Sequence, residues 1–110
     1  MKINILGTDY EIVEQTQEEN PKLDDAHGLC EVLSKRIILD KDMTKPSKQT
    51  LEKLEIYKNK VLRHEIIHAL FFESGLYSNS DYATNEELVD WIAIQFPKMK
   101  KLFEELNIEE

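Results

Sequence analysis

Residues 61–71 read Val61-Leu62-Arg63-His64-Glu65-Ile66-Ile67-His68-Ala69-Leu70-Phe71. On a helix, side chains four apart lie on one face, one turn above the other. His64 and His68 stand in that relation, so both imidazoles can reach a single ion. Glu65 sits about 100° around the helix from His64. From there its carboxylate lies close to the ion but is angled past it, where it can hold a water molecule and take its proton. This is the HExxH pattern, which arises by chance on the order of a few times in a thousand chains of this length. The neighbours agree with it. Leu62, Ile66, Ile67, Ala69, Leu70 and Phe71 wrap most of the circumference in apolar groups, which makes the helix a buried one. Two histidines and a glutamate on its remaining face are costly to bury without a partner, and a metal ion supplies one.

Zinc catalysis needs a third protein ligand and an open fourth position. Eighteen residues after His68 comes Glu86, inside Asn85-Glu86-Glu87-Leu88-Val89-Asp90. If this segment is helical, Glu86 and Asp90 share a face, while Leu88, Trp91 and Ile92 point into a core. Glu86 then reaches the metal. Asp90, one turn on, can accept the second ring proton of His64 and fix its tautomer. Glu87 serves instead if the helix is rotated. Glu73 and the loop residue Asp81 are further rivals.

Working outward, the N-terminal third is strand-like. Residues 2–6 alternate weakly, Gly7-Thr8-Asp9 reads as a turn, and residues 10–14 resume an extended pattern, giving a hairpin. Residues 15–28 read as a polar loop. Residues 29–33 and 36–39 form two short β-type runs around Ser34-Lys35, a second hairpin. Pro46-Ser47 opens a helical stretch that runs to about Ser74, with a break near Asn59 allowed and Gly75 as the stop. Residues 76–84 read as a loop. Thr84 caps a helix over residues 85–95, and Pro97 suits the first turn of a separate last helix ending near Asn107. Strands first and helices later indicate an α+β fold, with residues 1–110 as one domain.

Composition bounds the partners. The chain has 110 residues, 41% apolar and 33% charged, with 22 acidic against 14 basic residues and a formal net charge of −8. A negative surface repels phosphate backbones, so nucleic acid is a poor partner. The opening apolar run is too short for a signal peptide or a membrane span, so no membrane association is expected and the cytoplasm is the expected location. The lone cysteine, Cys30, reads as a small buried hydrophobe. His27, in a polar loop, reads as a solvated histidine.

At the HExxH residues and Asn85-Glu86-x-x-x-Asp90 the chain resembles the gluzincin metallopeptidases, in which a glutamate on a following helix completes the site; the second segment looks like the NExxxD of thermolysin-like enzymes. Its length is similar to minimal single-domain gluzincins and to the small ImmA/IrrE-type peptidases of phages and mobile elements. Gly28-Leu29 followed by Arg36-Ile37-Ile38-Leu39-Asp40 also looks like that group's small sheet. The resemblance spans roughly residues 28–95. It implies a zincin-like fold, a small N-terminal sheet packed on the HExxH helix and a second, glutamate-bearing helix. It also implies zinc as cofactor, His64, His68 and Glu86 as ligands, Glu65 as the catalytic base and Asp90 behind His64. No histidine follows His68, so Tyr77, or else Tyr82, is the candidate donor to the oxyanion. The implied activity is a zinc endopeptidase acting on a peptide or protein substrate. A monomer is expected, with substrate lying along an edge strand near residues 36–39. The alternative is a latent or non-catalytic zinc-binding regulatory module, with the acidic run 104–110 covering the site.

Overall fold

The structure, a computed structural model, describes residues 1–43 and 54–110. It is α+β. The strands are β1 (Lys2–Ile5), β2 (Thr8–Gln15), β3 (Gly28–Glu31) and β4 (Arg36–Asp40). The helices are α1 (Leu54–Glu73), the single turn α2 (Leu76–Asn79) and α3 (Glu86–Glu105). The four strands form one mixed sheet in the order β1-β2-β4-β3, in which β2 and β4 run parallel and the outer pairs are antiparallel.

Both expected hairpins are present, with adjusted turns. The first turns at Leu6 and Gly7, both at positive φ, while Thr8 and Asp9 already pair in β2. Two positive φ values in a two-residue loop match the right-handed twist of the flanking strands. In the second, β3 ends at Glu31 and residues 32–35 make the turn. The segment read as a polar loop over 15–28 contains a 3₁₀ turn, Pro21–Asp24, capped by the Asn20 side chain, and it buries Leu23 completely.

β4 is the spine of the sheet. Ile37, Ile38, Leu39 and Asp40 are all buried, and β4 has a strand on each side. Arg36–Asp40 is therefore not the sheet edge expected to receive substrate. Helix α1 lies against the sheet: Ile5, Tyr10, Ile37 and Ala69 form one buried cluster, joined by Leu62 and Ile66, and Leu39, Met43 and Val61 form another. On its other side, Ile67 packs with Val89 and Ala93 of α3. The helix is thus clamped between two layers, as its nearly continuous apolar surface requires. It runs unbroken through Asn59 and stops at Gly75, whose φ of 87° suits glycine. Its expected start at Pro46-Ser47 lies outside the described residues. At its end, Glu73 accepts hydrogen bonds from Thr8, Tyr10 and Lys35, at 2.9, 2.7 and 2.7 Å. That network ties Glu73 to the sheet and removes it from the list of metal ligands.

Two helices were expected where α3 is one. Pro97 lies inside it. A proline removes one helical hydrogen bond and frees the carbonyl four residues earlier, here that of Ala93. Arg63 Nε donates to the Ala93 oxygen at 2.8 Å, so the carbonyl keeps a partner and the helix continues. The cap is Asn85, not Thr84: its side chain accepts from the Leu88 amide at 2.8 Å. The buried face of α3 is Val89 and Ala93; Trp91, expected in the core, is 55% exposed. Among the described residues, no helix is long and apolar enough to cross a membrane.

Candidate metal centre

The apolar clamp on α1 leaves one face, carrying His64, Glu65 and His68, turned toward a cleft of about 530 Å³. The cleft is walled by β3, α1, the turn Asp81–Thr84 and the first turn of α3. His64, Glu65 and His68 form a group that can hold a metal ion, their donor atoms all within 4.8 Å of one another.

Glu86 joins them. As the first residue of α3, it places its carboxylate where the helix dipole favours negative charge. Its Oε2 lies 2.9 Å from His64 Nε2 and its Oε1 lies 3.0 Å from His68 Nε2. The two Nε2 atoms are 3.2 Å apart. Asp90 Oδ1 lies 3.0 Å from His64 Nδ1 and 2.9 Å from Lys60 Nζ. An ionised carboxylate can only accept, so a proton on Nδ1 answers Asp90. Nε2 faces the Glu86 oxygens and His68 Nε2 in one small volume, where either a proton on the nitrogen or a cation at the centre satisfies the acceptors. At 3.2 Å apart the two nitrogens are close enough to bind one metal ion between them.

Burial and neighbouring charges set the protonation of these groups. Burial, the largest influence, depresses the His68 pKa, while Glu86 pulls it upward. The net effect favours the neutral imidazole that a metal requires. Burial pushes the Asp90 carboxyl up, but hydrogen bonds from Lys60 and His64 outweigh it and hold the group below its ordinary value. Glu65 is buried and its pKa rises to about 7, chiefly through desolvation; His64 opposes the shift and the Glu86 charge adds to it. A carboxyl poised near neutrality can both take and return a proton. Glu65 is held against Gly28 at the head of β3: a Cβ on Gly28 would sit 2.7 Å from Val61 Cγ1 and 3.0 Å from Glu65 Cγ. Only glycine lets the strand approach this closely.

The other expected residues divide. Tyr77 lines the cleft, 41% exposed, with its ring edge-on to Phe72 at 5.5 Å. Tyr82 and Asp81 are exposed and take no part in the lining, and Glu87 is exposed outside it. Cys30 packs beside the core cluster, with burial pushing its thiol up to about 12, so it behaves as a hydrophobe. His27 is not a solvated histidine: it lines the cleft, and its Nδ1 hydrogen-bonds the Tyr57 hydroxyl. Lys60, Tyr57 and His27 were not singled out for the site. Lys60 was legible in principle, four residues before His64 on the same helix face; His27 depends on the long-range contact of β3 with α1. The acidic run beginning at Glu104 does not cover the site, because α3 carries it about 27 Å away at 1.5 Å per residue.

In comparisons with known proteins, no family model, no curated sequence and no solved structure matches this chain.

Proposed function

We propose that the protein is a zinc-dependent endopeptidase in which His64, His68 and Glu86 hold the metal and Glu65 is the catalytic base. The observation that carries this reading is the convergence of both Nε2 atoms and the Glu86 carboxylate, with the outer nitrogen of His64 held by Asp90. That combination, three protein donors beside the cleft and a carboxylate behind one imidazole, supports a catalytic zinc site. When bound, zinc acts as a Lewis acid toward a water molecule and the scissile carbonyl.

The chain's own residues do the rest. Glu65 accepts a proton from the attacking water and delivers it to the leaving nitrogen; its raised pKa supports both steps. Asp90, braced by Lys60, holds the His64 ring in its productive tautomer. Tyr77, which lines the cleft, is the proposed donor of a hydrogen bond to developing negative charge on the carbonyl oxygen. A peptide in extended form would bind along β3, whose side away from β4 has no strand partner among the described residues.

The test is metal content of the purified protein together with cleavage of a peptide library, compared across wild type, Glu65→Gln and His64→Ala. About one zinc per chain is expected in wild type and Glu65→Gln, and much less in His64→Ala. Cleavage should fall at least 10²-fold in Glu65→Gln. Wild-type protein without stoichiometric zinc refutes the metal. Cleavage that survives Glu65→Gln refutes the mechanism, and zinc without any cleavage assigns the chain to a binding role.

A further inference from the structure

The cleft holds a second pair of polar side chains, away from the proposed metal. His27 lines it just before β3, and Tyr57 lines it from the first turn of α1. Tyr57 stands seven residues before His64. That is about two turns, which sets the pair about 10 Å along the helix axis from the metal ligands.

His27 is fixed at both ends. Its carbonyl accepts from the Asp40 amide at 2.9 Å, which extends the β3–β4 pairing by one residue. Its Nδ1 hydrogen-bonds the Tyr57 hydroxyl, and the two rings meet edge to face with 5.3 Å between centroids. Burial, the largest influence on the Tyr57 hydroxyl, pushes its pKa up, with Lys60 opposing and Asp90 adding. Near neutral pH the phenol therefore keeps its proton and can donate it to Nδ1. A neutral imidazole that accepts at Nδ1 carries its own proton on Nε2. Nε2 has no hydrogen-bond partner among the described residues, where no buried side-chain nitrogen or oxygen goes unpaired. It is thus an accessible donor on a residue that lines the cleft. A side chain held in place beforehand loses little freedom when a ligand arrives.

We propose that His27 is a substrate-binding residue, held by Tyr57 so that Nε2–H donates to a main-chain carbonyl of the bound peptide. Tyr57 is its positioning residue. The proposal rests on the zinc-peptidase reading of the same cleft. An extended chain advances about 3.3 Å per residue, so about 10 Å is three residues. A donor that meets the main chain responds to length, not to side chains. The substrates are therefore peptides that continue at least about three residues past the scissile bond on the side of His27.

Peptides sharing one scissile bond, located by library cleavage, are lengthened one residue at a time on either side. In wild type, kcat/KM should step up about fivefold when the third residue is added on one side, as one hydrogen bond can supply. In His27→Ala that step should fall to near one, with zinc content and circular dichroism unchanged. His27→Gln, whose amide can donate, and Tyr57→Phe, which frees the ring, should each keep part of it. Long-range nitrogen–proton correlation NMR of the purified protein at about pH 8, where an ordinary histidine is neutral, should find the His27 proton on Nε2. Any other form of the ring overturns the proposal. So does a wild type without the step, or an equal step in His27→Ala; either leaves the metal reading standing. A protein without zinc, or without cleavage of any peptide, fails that reading and this inference with it.

Discussion

Glu65 should make the metal-free protein lose stability as pH rises, and Glu65→Gln should remove that loss. The carboxyl is 7% exposed and its pKa stands at about 7 in the fold against an ordinary 4.5. Between those values the folded chain holds a proton that the unfolded chain has released, so stability falls as pH climbs from about 4.5 through 7 and is level above. At 1.36 kcal/mol per pKa unit, the full penalty is about 3 kcal/mol, of which about 2.5 kcal/mol accrues between pH 5 and 8.5. Glutamine has the same shape and no charge to desolvate. Urea unfolding of both proteins at half-unit pH steps, with a chelator present, gives the free energies. The quantity to read is the difference between variants, which cancels contributions shared by the remaining titrating groups. That difference should grow by about 2.5 kcal/mol in favour of Glu65→Gln from pH 5 to 8.5. Parallel curves for the two proteins would show that Glu65 is not desolvated, and the account of its readiness as a proton carrier would fail with them.

Gly28→Ala forces a methyl into Val61 and Glu65 at the distances given above, so it should cost about 1–3 kcal/mol in chemical denaturation. It should reduce peptide cleavage by a larger factor than that stability loss explains, because it displaces the proposed base. Asp90→Asn leaves His64 Nδ1 without its carboxylate, and competition against a calibrated chelator should show zinc affinity 10–100-fold weaker. Arg63→Met strands the Ala93 carbonyl and should destabilise by about 1–3 kcal/mol; adding Pro97→Ala restores an amide to that carbonyl, so the double variant should recover most of the loss.

What was legible in the sequence was local chemistry with a period. His64, Glu65 and His68 announce themselves by spacing, and Glu86 with Asp90 by sharing a helix face, since both ends of each relation lie on one element. The two hairpins were legible for the same reason. What escaped depends on how elements meet. That β4 sits between β2 and β3 cannot be read from the strands themselves: short apolar runs such as Ile37-Ile38-Leu39 suit an edge or a centre until the crossover is known. His27 looked solvated because nothing in its own loop shows that β3 carries it up to Tyr57 on α1.

Pro97 is the sharpest case, and it bears on the site. A proline twelve residues into a helix normally marks an end, and read that way α3 splits into two. The chain contains the remedy, but on another element: Arg63 reaches across to the carbonyl that Pro97 leaves open. Arg63 immediately precedes His64, while Ala93 lies one face-turn beyond Asp90. The same contact that keeps α3 whole therefore joins it to α1 beside the histidine–carboxylate pairs. Were α3 held only by Val89 and Ala93, the apolar contact would tolerate sliding by fractions of a turn, and Glu86, the exposed first residue of the helix, would drift from the two imidazoles. A hydrogen bond of fixed length fixes the height of α3 against α1, and the proline supplies a carbonyl with no competing partner within its own helix. The residue expected to interrupt the element thus helps to set the register on which the proposed metal site depends.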